Sequence, residues 1–276
     1  MQTFFTFIAF GTALAFTIPT KTITTGRNMD FASSTLALSH MMALQQKMDI
    51  VGNNIANMNT TGFKAVELLL KSEKVSPSVP GVRPLDKNPL VMAADWGTVR
   101  DTSPGVVKTT GNPLDVAIQG KGYFTISTPA GDRYTRNGVF ELSSGGQLVD
   151  LNGNAVQGDG GEINVPPGTS NIAIGPDGTI STPKGILGKL KLVDFDNEQA
   201  LLPDGNNGLK AAEGTAPNPL EKQSIVQGAI EESNVNSVQQ MTDMIEIQRQ
   251  YMTAANIMKE EGSRQTNAIK DIARIS

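Results

Sequence analysis

Of the 28 glycines in the chain, 22 lie between residues 75 and 222 together with 14 of the 15 prolines, whereas 10 of the 11 methionines lie outside that stretch. Inside a helix glycine costs about 1 kcal/mol and proline about 3 kcal/mol per residue, so long helices are confined to the two ends. The middle is left to strands and turns. A length of 276 residues allows one large domain or two ordinary ones.

At the N-terminal end, Ala37, Met41, Leu44, Met48, Val51, Ile55 and Met58 recur at alternating spacings of four and three. That is a narrow coiled-coil seam rather than the broad stripe of a surface helix. Ser33 or Ser34 is placed to cap its start, and Gly62 to turn left-handed past its end. The C-terminal end, from Val235 to Ile275, carries two overlapping registers. One runs through Met241, Met244, Gln248, Tyr251, Ala255, Met258, Gly262, Gln265, Ile269 and Ile272; the other through Val238, Met241, Ile245, Met252, Ala255 and Ile269. Asn234 or Asn236 offers an N-cap, and Ser237 with Gln240 fits a capping box. The middle leaves the end of the first helix and returns to the start of the second, so the pair is expected to run antiparallel. Packing within one chain and packing against other subunits both remain open on this pattern, although three seams offer more apolar surface than two helices cover on each other.

Six Asn-Gly or Asp-Gly pairs punctuate the middle, at 137–138, 152–153, 159–160, 177–178, 204–205 and 207–208. They predict type I′ hairpin turns. Around them short runs alternate with a period of two, as in Leu114, Val116 and Ile118, or Leu190 and Leu192. The expected fold is α+β: an antiparallel helical coiled-coil domain from both termini with an inserted antiparallel β-rich domain. Its parts are a helix over 29–74, an extended proline-containing connector over 75–111, a β domain over 112–200, a second connector over 201–226 and a helix over 227–276.

No catalytic constellation stands out. Without cysteine there is no thiolate, disulfide or Cys-based metal site, and the single histidine, His40, has no acidic or Ser partner near it in sequence. Asp150-Leu151-Asn152-Gly153-Asn154 resembles the start of a calcium loop, but Ala155 stands where glycine is needed and Gly161 where a bidentate Glu is needed. Gly120-Lys121-Gly122 lacks the third glycine of a dinucleotide loop. A net charge of −4 with scattered basic residues gives no footprint for nucleic acid. The expectation is therefore a non-enzyme with no catalytic residue, metal site, cofactor, nucleic-acid partner or small-molecule substrate.

The first 28 residues are apolar from Phe4 to Ile18 and carry no basic residue before Lys21. A secretory leader should begin with a basic region, which is missing. The competing reading is a start at Met29, with residues 1–28 dispensable. A secreted β-rich adhesin with helical ends is the rival function that would need the leader.

Residues 53 to 64 read NNIANMNTTGFK. This closely resembles the N-terminal signature of bacterial flagellar rod, hook and hook-associated axial proteins, with Asn54, Asn57, Asn59, Thr61, Gly62, Phe63 and Lys64 at positions typical of the motif. The likeness continues through TGNPLDVAIQGKGYFTIS (110–127), RYTRNGVFELSSGGQLVDLNGNAVQG (133–158), GPDGTIS (175–181) and QGAIEESNVNSVQQMTDMIEIQRQYMTAANIMK (227–259). Within the family the chain is most similar to proximal-rod members, with distal-rod members close behind.

The resemblance implies a structural subunit of the basal-body rod that spans the periplasm and carries motor torque. It implies assembly with itself and other rod subunits, and export unfolded through the flagellar type III apparatus without a cleaved leader, which favours Met29 as the start. The residues expected to pack between subunits are Ala37, Met41, Leu44, Met48, Val51, Ile55, Met58, Met241, Met244, Ile245, Tyr251, Met252, Ala255 and Met258. Absence of cysteine also suits a chain that emerges unfolded into an oxidising compartment.

Overall fold

The computed structural model describes residues 26–75, 90–169, 171–220 and 224–275. The question of residues 1–28 lies almost wholly outside them. Helix α1 spans Gly26–Ala56 and helix α2 spans Ser237–Ile275. Between them run β1 (Val66–Val75), β2 (Leu90–Arg100), β3 (Val107–Thr109), β4 (Val116–Ile118), β5 (Tyr123–Thr128), β6 (Gly131–Thr135), β7 (Phe140–Leu142), β8 (Leu148–Asp150), β9 (Ala155–Gly158) and β10 (Gly161–Glu162). There follow β11 (Ala173–Ile174), β12 (Thr179–Thr182), β13 (Gly185–Lys189), β14 (Leu192–Asp194), β15 (Leu201–Pro203), β16 (Leu209–Ala211), β17 (Asn218–Pro219), β18 (Ile225–Gln227) and β19 (Ala229–Glu231).

The expected coiled-coil domain from both termini is not what forms. Most elements of the chain are strands, and the two helices share only a local cluster. In it Leu44, Val51 and Ile247 are buried, with Met48, Ile55, Met244 and Tyr251 packed around them. Of the second C-terminal register, Val238, Met241, Ile245, Met252 and Ile269 are all exposed. The apolar period marked positions able to bury themselves, but the backbone turns only one stripe of α2 toward α1. The other end of α1 is occupied by the β1–β2 hairpin. There the Asn54 side-chain amide donates to the Val66 carbonyl (2.9 Å) and accepts from the Val66 N–H (3.0 Å), as a neighbouring strand would.

Caps differ in detail as well. Ser33 and Ser34 lie inside α1 rather than at its start. Asn236 caps α2, its Oδ1 accepting from Gln239 N (3.1 Å), while Gln240 turns its Oε1 to the Asn54 amide (3.1 Å) instead of closing a capping box.

In the β region, β5 is the central strand, paired antiparallel with β6, β9 and β14. Its period of two sends Phe124 and Ile126 into the main core with Val116, Phe140, Leu148, Val156, Ile180, Leu190 and Leu192. Tyr123 goes the other way, into a second cluster with Tyr134, Val193, Phe195 and Leu201. Phe124 and Phe140 meet edge to face at 5.1 Å, a preferred aromatic geometry. Strands also run through both stretches expected as connectors: β2 and β3 fall within 75–111, and β15 to β17 within 201–226, where β18 also begins.

In none of the six Asn-Gly and Asp-Gly pairs do both residues take the positive φ expected of a type I′ centre. In two of them the glycine closes a turn as its fourth residue with positive φ: Gly153 N donates to Asp150 O (3.0 Å) and Gly178 N to Gly175 O (2.9 Å). Each Asp accepts a backbone N–H two residues on, Asp150 from Asn152 (2.9 Å) and Asp177 from Thr179 (3.2 Å). Among the described residues only Asn206 and Asn207 are non-glycine residues with positive φ, and they form the two central residues of the Gly205–Gly208 turn.

Candidate functional site

The signature turn leaves α1 and enters a buried polar junction. Thr60 Oγ1 donates to Asn57 Oδ1 (3.1 Å), and Asn57 Nδ2 donates back to the Asn53 carbonyl (2.9 Å), fastening the frayed end of the helix. Gly62 then adopts φ 69°, and its N–H donates to the Glu231 carbonyl (2.7 Å). A Cβ there would sit 2.5 Å from the Arg136 carbonyl carbon, so both the φ and the space call for glycine. The Thr61 carbonyl accepts from Asn207 Nδ2 (2.7 Å), Phe63 is half-buried and Asn59 is exposed.

Lys64 is buried, and its ammonium donates to Glu231 Oε1 (2.5 Å) and the Ser103 carbonyl (2.7 Å). Glu231 Oε1 also accepts from Gly105 N (2.9 Å), while Oε2 accepts from Arg136 Nη1 (3.1 Å). Arg136 Nη2 reaches the Gly120 carbonyl (2.6 Å), and its guanidinium lies 5.4 Å above the Tyr123 ring, a cation–π contact. Asn234 completes the knot, accepting from Ala65 N (2.7 Å) and donating to the Asp101 carbonyl (3.0 Å). Two buried cations thus share one buried carboxylate. Burial pulls the Lys64 ammonium below its ordinary value, against the opposing hydrogen bond and charge of Glu231. Burial also pushes the Tyr123 phenol up, helped by its hydrogen bond to Glu198 (2.7 Å).

Above this junction the helices run antiparallel. Asn54 meets Gln240, and His40 lies beside Thr253 and Ala254. The stripe of α2 turned to α1 comprises Met244, Ile247, Tyr251 and Ala254, at spacings of three, four and three. Leu38 and Met42 sit one residue beyond seam positions of α1, and Met241, Ile245 and Met252 one residue beyond Gln240, Met244 and Tyr251. In two antiparallel helices a one-residue step turns both stripes to the same side of the pair. Leu38, Met42, Val238, Met241, Ile245 and Met252 therefore all turn to the same side of the pair, with Leu38 and Met42 at the Met252 end of the α2 stripe; Val238 and Ile245 are 73% and 68% exposed.

Three family models match the chain: "Flagella basal body rod protein" over residues 29–64, "Flagellar hook protein FlgE/F/G D1 domain" over 117–182 and "Flagellar basal body rod FlgEFG protein C-terminal" over 226–269. The "Flagellar basal-body rod protein FlgF" of Caulobacter vibrioides is 36% identical over 243 residues, covering 87% of this chain and 98% of its own. The chain belongs to the flagellar basal-body rod protein family. This rod protein is also 34% identical to the protein of the same name from Mesorhizobium japonicum, over 86% of the chain and 96% of the relative. It is 33% identical to the "Flagellar basal-body rod protein FlgG" of Bacillus subtilis, over 80% and 91%. The molecule is a structural subunit of the flagellar basal body.

The structure distributes the expected packing residues unevenly. Leu44 and Val51 are buried; Ala37, Met41, Met48, Ile55, Met58, Met244, Tyr251, Ala255 and Met258 are half-buried; Met241, Ile245 and Met252 are exposed. Sequence reasoning passed over Ile247 and Ala254, both buried in the helix contact, and the exposed pair Leu38 and Met42. A third register starting from Met244 would have found Ile247 and Ala254. Glu231 and Arg136 were passed over too, and no local spacing marks them; Asn234, a candidate cap of the second helix, serves the junction instead while Asn236 caps the helix.

Proposed function

We propose that this rod subunit joins other flagellar rod and hook subunits through the exposed apolar side of its helix pair. The observation that carries the reading is the alignment of Leu38 and Met42 on α1 with Val238, Met241, Ile245 and Met252 on α2. Covering a side chain of this size contributes about 1–2 kcal/mol when around half or more of it is exposed, so six of them supply roughly 6–12 kcal/mol of gross driving force. In this scheme 29–74 and 227–276 serve the axis, and 112–200 forms the outer β domain, linked by 75–111 and 201–226. The buried junction holds the two parts at a set angle, as a shaft under torque requires.

Agreement in length with the FlgF relatives, 98% and 96% of which are covered, supports a place in the proximal rod, with the distal rod as the alternative. Membership of the family and the lack of cysteine support passage through the flagellar export apparatus. Replacement of Ile245 by Asp tests the assembly surface. The variant is expected to keep the circular dichroism and melting of the parent yet leave a null strain non-motile and its basal bodies without the subunit. Normal incorporation of Ile245→Asp would overturn the assignment.

A further inference from the structure

The clustering of methionine at the two ends is not explained by apolarity alone, since Leu would supply the same burial with fewer rotamers to freeze. The structure sorts these methionines into two groups. Met48 and Met244 are half-buried at the helix contact, whereas Met42, Met241 and Met252 are 64%, 47% and 62% exposed, all on the same side of the helix pair. The antiparallel register set by Asn54 against Gln240 and by His40 beside Thr253 and Ala254 brings Met42 level with Met252. Two accessible thioethers thus lie level with each other on the two helices at the Leu38 end of the apolar side, with a third toward the other end beside Val238.

We propose that Met42, Met241 and Met252 form an oxidation-sensitive site that blocks incorporation of the unassembled subunit. The reactant is a peroxide or hypohalous acid. With peroxide, the thioether sulfur attacks one oxygen, an S–O bond forms as the O–O bond breaks, sulfur loses two electrons and the peroxide is reduced to water. The product is a polar sulfoxide where the face needs an apolar group. Burying its S=O acceptor carries a desolvation cost that the thioether does not, which weakens the contact. Once the subunit is assembled the same sulfurs are covered, so the site acts on free subunits only. Sulfoxide reduction restores the thioether, which makes the block reversible. This inference rests on the assembly surface proposed above.

The test exposes the purified full-length chain to a short hydrogen peroxide pulse and maps added oxygen, about 16 Da per sulfoxide, by peptide mass spectrometry. Met42, Met241 and Met252 are expected to oxidise severalfold faster than Met48 and Met244; equal or reversed rates would overturn the proposal. Self-association is then measured by sedimentation, with each chain compared with its own untreated sample. In the parent the treated fraction in assemblies is expected to fall on the order of tenfold, and to recover after methionine sulfoxide reductase. The Met42→Leu, Met241→Leu, Met252→Leu triple variant should show a treated-to-untreated ratio near one whatever its starting level. An undiminished ratio in the oxidised parent would refute the site. If Ile245→Asp blocks assembly while the oxidised parent assembles, only the oxidation site fails; if neither has an effect, the assembly surface itself is wrong.

Discussion

Replacing Glu231 by Gln perturbs the junction at the carboxylate that Lys64 and Arg136 both meet. The side chain is 2% exposed and faces Lys64 and Arg136, whose side chains are 4% and 5% exposed. Gln keeps the shape and one acceptor, but removes the single negative charge that two buried cations share. Breaking a buried pair on one side costs about 3–5 kcal/mol because the partner is left uncompensated. Here two partners are left, although Lys64 limits the penalty by giving up its proton. With a urea slope of roughly 3 kcal/mol/M for a chain of this size, the unfolding midpoint should drop by about 1–2 M. Circular dichroism reads the transition.

Lys64→Met is the informative companion, because it leaves the Arg136–Glu231 pair matched and forfeits mainly the hydrogen bond to the Ser103 carbonyl, about 1–2 kcal/mol. The order of the two variants carries the reasoning. A loss below about 1 kcal/mol in Glu231→Gln, or a larger loss in Lys64→Met than in Glu231→Gln, would refute the picture of a shared carboxylate. The pH dependence gives a second reading. Lys64 titrates lower in the folded chain than its free value of 10.5, so between those two points the unfolded state binds more protons and stability rises with pH. Glu231→Gln removes the hydrogen bond and charge that hold the proton on Lys64, so its lysine titrates lower still; the gap to the parent should narrow as pH rises between those two folded values and stay level above them.

Gly62→Ala should lower stability by about 2–4 kcal/mol, read as a fall in melting temperature, since its Cβ meets the Arg136 and Asn137 backbone at a positive φ. Tyr123→Phe should cost about 1 kcal/mol at neutral pH through the lost Glu198 hydrogen bond. Because the folded Tyr123 phenol titrates above its free value of 10.0, its contribution is intact below that pH and is lost as pH rises further. The alkaline limb of the stability profile should then be flatter in the Phe variant. Asn236→Ala should destabilise the first turn of α2 by about 1 kcal/mol, seen as faster amide exchange at Gln239.

Helices at the ends, strands in the middle and the signature turn were legible because each is written in local chemistry. Gly62 announced a left-handed position, and Val116 and Ile118 announced the period of two of β4, both reaching the main core, since φ preferences and the period of two act between near neighbours. The turn type was misread for a nearby reason. Asp150 and Asp177 use their carboxylates to hold negative φ and leave the positive φ to the glycine that closes the turn, a competition between side-chain hydrogen bonding and the Asp-Gly or Asn-Gly preference for type I′. The junction was illegible because Lys64 and Glu231 stand 167 residues apart, and no pattern in either segment points to the other.

By itself the sequence determined where helices are permitted, which helical positions are apolar and which family the signature resembles, because composition, periodicity and motif are properties of contiguous residues. Only the tertiary structure decided which apolar stripe is covered. Met244 and Met252 belong to registers of nearly equal quality, yet one packs on α1 and the other faces outward. A period records that a side chain gains by leaving water; the crossing of the two helices and the anchoring of Asn54 on β1 decide which neighbour is there to receive it.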